Sequence, residues 1–424
     1  MPVKAFRKSN FKINLTLVCC AICIVFSAPA RGDANLATLN DYLDYAGTNS
    51  AELAGAYAQW QSAIEEIPQA GALPEPKFEY EFETQRTPHT QKFGIMQPLP
   101  WFGVRGARTE AAKAQAQAAK KRYDAVRLKL FNEVRQAYFD FAYLAKEIET
   151  ASQRVELLKH IEEVARIRYA ASMASHPDHI RAEIEISKAA FDVLTLEKQR
   201  EPLVARLNAI LNRPAIAKLD WPENQQYEPA DVNFSQVALA IIENNPELAA
   251  AENEIAASRS QVDLAKKRSY PEFEIGVDFY ADAVETMGPG PQPIMARIGL
   301  TLPIWSDSYS AAQRQARARL AENVSKKRRS QNDLMLQASQ SLYELDQARR
   351  KSSLYKDSII PRSREMLGSY EALYREGGAD FTTLVEAQKM LLDSELEYKK
   401  AQIELGQKTS QLEMLMGKEV QGLK

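Results

Sequence analysis

The sequence predicts a mostly α-helical protein that also carries membrane β-strands, built from one helix–strand–strand–long helix–helix unit given twice. Three observations predict it. Short segments recur about 200 residues apart along the whole chain, as internal repeats do. Four segments of about ten residues alternate apolar and charged side chains, the period of a two-faced strand. The stretch from Val104 to Tyr169 contains no proline and one glycine, Gly106, and carries an apolar heptad.

The first thirty residues stand apart. Lys4, Arg7, Lys8 and Lys12 precede a run from Ile13 to Phe26 that is apolar except for Asn14 and Thr16, and Ala28-Pro29-Ala30 is a small-x-small cleavage site. This is the layout of a secretory signal peptide over 1–30, and the run is short for a spanning helix, the alternative being an uncleaved anchor. Cys19, Cys20 and Cys23 all lie inside it, so the mature chain is expected to hold no thiol or disulfide. No small residue precedes any of the three cysteines, which points to an unlipidated export signal. Beyond it no apolar stretch of about 18 residues occurs, so an exported chain of this kind is either soluble or crosses a membrane as a β-barrel.

The repeats divide the remainder. Asn49-Ser50-Ala51-Glu52-Leu53 returns as Asn244-Asn245-Pro246-Glu247-Leu248, and Pro76-Lys77-Phe78-Glu79 as Pro271-Glu272-Phe273-Glu274. Phe93-Gly94 to Leu99-Pro100-Trp101 returns as Ile298-Gly299 to Leu302-Pro303-Ile304-Trp305. Further on, Tyr138 aligns with Tyr343, Tyr169 with Tyr374, and Leu207–Leu211 with Leu412–Met416. The first repeat is expected over 31–213, a Pro-containing linker over 214–232, and the second repeat over 233–424.

Each unit opens with a helix and continues with two strands. The strands are expected at Lys77 to Arg86, Thr90 to Leu99, Glu272 to Ala283 and Pro293 to Leu302. Phe78, Tyr80 and Phe82 fall on one face of the first, with Glu79, Glu81 and Glu83 on the other. Phe273, Ile275, Val277 and Phe279 oppose Glu272, Glu274 and Asp278; Ile294, Ala296, Ile298 and Leu300 oppose Met295, Arg297 and Gly299. Such strands suit a membrane barrel, with the apolar face to lipid and the charged face to a wet lumen. A soluble sheet packed on helices shows the same period. The second strand has the weakest signal, because Pro98 interrupts it.

The long helix follows, a rod of on the order of 100 Å at ~1.5 Å per residue. Its seam of Leu130, Val134, Ala137, Phe141, Leu144, Ile148, Ala151, Val155 and Leu158 steps by alternating fours and threes, a coiled-coil pattern. The second copy runs from Ser306 to Tyr374 with a thinner seam of Leu334, Ala338, Leu345 and Ala348, and Pro361 should kink it. Partner helices are expected from Ile180 to Asn212 and from Phe381 to Gly417. Gly377-Gly378 reads as a helix stop.

Four strands cannot close a membrane barrel, and open edges are intolerable in lipid. Copies of the chain must therefore complete it. Three protomers would supply twelve strands; four would also close.

Several function classes are disfavoured. The 54 basic residues are balanced by 56 acidic ones without a basic block, so no nucleic-acid partner is expected. No nucleophile elbow, phosphate loop or zinc-protease motif occurs, so no enzyme activity and no cofactor are expected. His176, Asp178 and His179 make poor ligand geometry around a proline, and no metal site is assigned to them. Trp101 and Trp305 flank the strand–helix junctions, where a membrane-interface girdle would place aromatics.

These residues carry a resemblance. The twice-given element order resembles the TolC-like outer-membrane efflux factors over essentially the whole mature chain. So do Asn245-Pro246-Glu247-Leu248, Pro100-Trp101-Phe102-Gly103, and the turn Tyr374-Arg375-Glu376-Gly377 running into Phe381-Thr382-Thr383-Leu384-Val385-Glu386-Ala387-Gln388. The hairpin loop from Thr84 to Thr90 and the Phe93-to-Arg108 stretch are similar to the heavy-metal branch. The resemblance implies a homotrimer, with a twelve-stranded β-barrel in outer-membrane lipid and a long α-helical barrel in the periplasm. It implies docking to a periplasmic adaptor and an inner-membrane efflux transporter, making the chain the passive exit duct of a tripartite system. Tyr374 matches the gate tyrosine of the family, and Glu386 the acid of its constriction. Thr383 stands where a second acid is common, and Ser172 where glycine is common. Adaptor contacts are expected at the tips, at Ser172, Met173, Gly377, Gly378 and Asp380. Glu386 repeated about an axis would ring the pore mouth with charge; a solvated helix face is the other reading of the same residue.

The competing reading is a soluble periplasmic coiled-coil scaffold or adaptor. It accounts for the long helices and the export signal but not for four strands with an apolar face. Drugs, metal ions and proteins all remain open as cargo.

Overall fold

The computed structural model describes residues 36–83, 90–170, 176–222, 232–281 and 294–419. The expected export signal, both hairpin loops, the middle of the linker, and Ser172 with Met173 lie outside the described residues.

Each repeat begins with two helices rather than one: α1 (Leu39–Asn49) and α2 (Ala51–Gly71), then α5 (Phe234–Asn244) and α6 (Pro246–Lys267). The break has a local cause. Ser50 and Asn245 are extended at ψ 125° and 122° and turn their side chains to cap the second helix, and Pro246 follows at its first position. Asn245 is buried; its side chain accepts from the Glu247 and Leu248 amides at 2.9 and 3.1 Å and donates to the Leu415 carbonyl at 2.8 Å. The Asn-Pro-Glu-Leu motif is thus the cap that ties the helix break to the end of the last helix.

Strands β1 (Lys77–Glu83), β2 (Thr90–Leu99), β3 (Glu272–Ala281) and β4 (Ile294–Thr301) form one antiparallel sheet in chain order. The β2–β3 pairing joins the two repeats. Pro98 is tolerated in β2 because pairing with β1 begins at Met96↔Lys77, so Pro98 is paired on the β3 side only.

The rods are α3 (Val104–Ala170), with α4 (His176–Ile210) folded back on it, and α7 (Ser306–Leu354). A π-turn (Tyr355–Ile359) links α7 to α8 (Ile360–Glu376), and α9 (Phe381–Met416) returns. At 67 residues, α3 is about 100 Å long. On the sheet side α3 packs on α2 and α6, and α6 on α7; on the far side α3 packs on α4 and α9, and α9 on α7. The result is a four-helix layer continuing a four-stranded one.

The coiled-coil seam is real. Leu130, Val134, Ala137, Phe141, Leu144 and Leu158 are buried, while Ile148, Ala151 and Val155 are half-buried. In the second copy Leu334, Ala338, Ser341, Leu345 and Ala348 are buried, each 204 residues after Leu130, Val134, Ala137, Phe141 and Leu144. Past the π-turn the buried pairs Leu158/Ser363, Leu207/Leu412 and Leu211/Met416 are 205 apart. The wider π-turn absorbs one extra residue, and Pro361 follows it directly: its ring excludes the carbonyl of Asp357, which lies inside the turn. This corrects one expected correspondence. Buried Tyr138 answers to Leu342, which packs on the second core, and not to Tyr343, which is 63% exposed.

Candidate functional site

Two regions carry the candidate site: the faces of the sheet and the helical tips. In register, Phe78, Ile95, Val277 and Ala296 lie side by side across the four strands, as do Glu79, Gly94, Asp278 and Met295 on the other face. The apolar face is exposed. Phe78, Ile95, Val277, Ile298 and Leu300 are 68%, 58%, 52%, 79% and 50% exposed, and Tyr80, Phe82, Ile275 and Phe279 are also open. Phe273 instead stacks on Trp101, with ring centroids 5.8 Å apart, at the strand–helix junction. Trp101 also stacks on Tyr270, at 5.2 Å.

The opposite face is a lattice of ion pairs. Arg297 reaches Asp278 at 2.5 Å and Glu79 at 3.2 Å. Lys92 lies 3.2 Å from Glu81 and 4.0 Å from Asp278, and Lys77 lies 3.7 Å from Glu274. Glu272 sits at the start of β3 opposite Thr301, and Glu83 pairs with Thr90 at the end of β1. Alternation puts Asp278 on this face, and Lys92 joins it because it alternates with Phe93, a weaker signal in the strand that Pro98 interrupts.

At the tips, the turn between α8 and α9 is built by two adjacent devices. Gly377 takes φ +81°, its amide and that of Gly378 bonding back to the Tyr374 carbonyl at 3.2 Å and the Leu373 carbonyl at 2.8 Å. Asp380 then caps α9, accepting from the Thr383 amide at 2.8 Å and the Thr383 hydroxyl at 2.6 Å. Those two bonds hold the Asp380 carboxyl below its ordinary pKa.

The three expected gate residues have different surroundings. Tyr374 is buried among Ile161, Ala165, Ala182 and Leu384, packing the four helices at the tip together. Thr383 is engaged by the Asp380 cap. Glu386 is exposed, while its neighbours Ala387 and Gln388 turn inward. His179 lies 3.1 Å from Glu162 and 3.6 Å from Glu183. Among the described residues no helix is long and apolar enough to cross a membrane.

A sheet with one exposed apolar face and one charged face, continued by helices far longer than the sheet is wide, is the architecture of an outer-membrane channel protein with a periplasmic helical part. The chain belongs to the outer membrane efflux protein family, whose model matches residues 42–213 and 238–418, one stretch in each repeat. This is a family of export channels rather than of enzymes. The cobalt-zinc-cadmium resistance protein CzcC of Cupriavidus metallidurans is 22% identical, over 93% of this chain and 92% of that protein. The pyoverdine export outer membrane protein OpmQ of Pseudomonas putida is 22% identical, over 86% of this chain and 82% of its own. The solved structure of CusC superimposes with a TM-score of 0.77 at 14% identity, covering 90% of this chain and 92% of that one.

Proposed function

We propose that three copies of the chain close into a twelve-stranded barrel set on a helical barrel, and that this is the passive exit duct of a tripartite efflux system. An inner-membrane transporter would deliver cargo through a periplasmic adaptor seated at the tips, around Gly377, Gly378, Asp380, Ser172 and Met173. The observation that carries the reading is the exposed, continuous apolar face of the sheet. In water that surface would aggregate, whereas in lipid it is the stable arrangement. Export across the inner membrane would be directed by residues 1–30.

Closure has an internal template. Within the chain the first repeat meets the second through β2–β3, α3–α6 and α3–α9. The same contact repeated outward would join β4 to β1 of the next copy, and α7 to its α2 and α4. Exposed apolar stripes lie on these elements, Leu336, Tyr343 and Leu354 on α7 and Ile180, Ile184, Phe191 and Leu194 on α4. Edge strands in lipid leave unpaired backbone groups at several kcal/mol each, so a single protomer has no stable place there. Twelve strands is an even count within the known range, and three is the count that the family resemblance supports.

At the tips Glu386 is the side chain free to form a charged ring about the axis, while Tyr374 and Thr383 would act by shaping the turn that carries it. Membrane fractionation with an unheated gel tests the whole reading. A detergent-extracted species of three chains from the outer membrane is expected; a soluble monomer or dimer released from the periplasm would instead favour a coiled-coil scaffold.

A further inference from the structure

The charged face of the sheet pairs its acids with bases, and Arg297 spans the longest distance in doing so. Arg297 stands on β4 opposite Gly276 of β3, which stands opposite Met96 of β2. Its guanidinium nevertheless reaches Glu79 on β1, the strand farthest from its own, while binding Asp278 on the way and passing 3.3 Å from the Met96 sulfur. The path runs over glycines. A Cβ on Gly276 would sit 2.9 Å from Met96 Cγ, and a Cβ on Gly94 would sit 2.6 Å from Asp278 Oδ1. Side chains at these positions would crowd the Met96 and Asp278 that the guanidinium contacts. Asp278 is 3% exposed and its Oδ1 accepts no hydrogen bond from the described residues; Oδ2 is met by Arg297 and, more distantly, by Lys92.

We propose that Arg297 sets the ion preference of the channel by neutralising an acidic belt on the barrel wall. The inference rests on the barrel reading above, in which this face lines the lumen. The belt comprises Glu79, Glu81 and Asp278 against Lys92 and Arg297, three acids and two bases, a net of −1 in each protomer. Arginine suits the task because its fork engages two carboxylates at once and it stays charged at any working pH. Losing it takes the belt to −2. The potential of a ring scales with its charge, so the belt's contribution to the logarithm of the cation-to-anion ratio about doubles. Screening limits the effect to dilute salt, since the Debye length is ~10 Å at 0.1 M and ~3 Å at 1 M.

The test is reversal potential in planar bilayers under a KCl gradient with the dilute side near 0.1 M. Arg297→Gln is expected to raise the potassium-to-chloride permeability ratio, Arg297→Glu to raise it further, and Arg297→Lys to leave it near that of the unsubstituted protein. Glu79→Gln is expected to lower it, and Arg297→Gln combined with Glu79→Gln to bring it back. An assembled Arg297→Gln channel with an unchanged ratio overturns the inference. If Arg297→Gln does not assemble, Glu79→Gln decides, and an unchanged ratio there overturns it equally. A purely structural role would change heat resistance of the assembly without moving the ratio in opposite directions for the two substitutions. Should the unsubstituted protein form no channels at all, the barrel reading itself falls.

Discussion

Replacing Val277 with arginine would put a guanidinium at the middle of the outward apolar face, flanked by Ile95 and Ala296 on the neighbouring strands. Val277 is 52% exposed, so neither a cavity nor overpacking accompanies the change. If that face meets lipid, an arginine near the bilayer midplane costs about 2–4 kcal/mol for each copy, and three copies share one barrel. The total of roughly 6–12 kcal/mol is comparable with the whole stability of a typical domain, so insertion should fail. The assay is the amount of protein recovered in the outer-membrane fraction and its migration as an oligomer on an unheated gel. Met295→Arg is the matched control. Met295 is equally open at 51% but lies on the charged face, in register with Asp278. There a new arginine meets a carboxylate and should be tolerated. Normal insertion of Val277→Arg together with failure of Met295→Arg would refute the assignment of the two faces.

Other substitutions probe the helical part. Leu345→Ala removes a buried seam residue from the second core and should cost about 2–5 kcal/mol, read as a lowered midpoint of denaturant unfolding in detergent. Gly377→Ala forces a Cβ into the left-handed region at φ +81° and should destabilise the tip turn by about 1 kcal/mol, seen as faster hydrogen exchange over residues 374–384 with the sheet unchanged. Asp380 has a folded pKa below its ordinary value of 3.8, so its capping contribution is complete above the ordinary range and fades as pH falls through the lowered value. Asp380→Asn should retain the cap and remove that acid sensitivity, measured as tip exchange against pH. Glu386→Gln should raise single-channel conductance or weaken block by divalent cations; no change in either removes Glu386 from the constriction.

Much of the architecture can be read without coordinates because it rests on period and repetition. Alternation along β1, β3 and β4 assigned Phe78, Ile275 and Leu300 to one face and Glu79, Glu274 and Arg297 to the other, and the register agrees residue for residue. The heptad from Leu130 to Leu158 similarly named the side chains that α3 buries or half-buries. Such patterns are local consequences of a fixed residue spacing, so they survive without knowledge of neighbours.

What required the tertiary structure were choices made between distant segments. The π-turn shifts the second repeat by one residue, and only burial reveals that Leu342, not Tyr343, takes the place of Tyr138. The break before α6 is local, but that Asn245 also donates to the Leu415 carbonyl, 170 residues onward, is decided by packing. Tyr374 matches the family's gate tyrosine by position, and only the packed tip shows that in the protomer it is buried against α3, α4 and α9. The span of Arg297 across three strands could not be foreseen from alternation, which gives a side chain its face but not its reach. Periodicity determines which way a residue points; only the packed sheet and helices decide what it meets there.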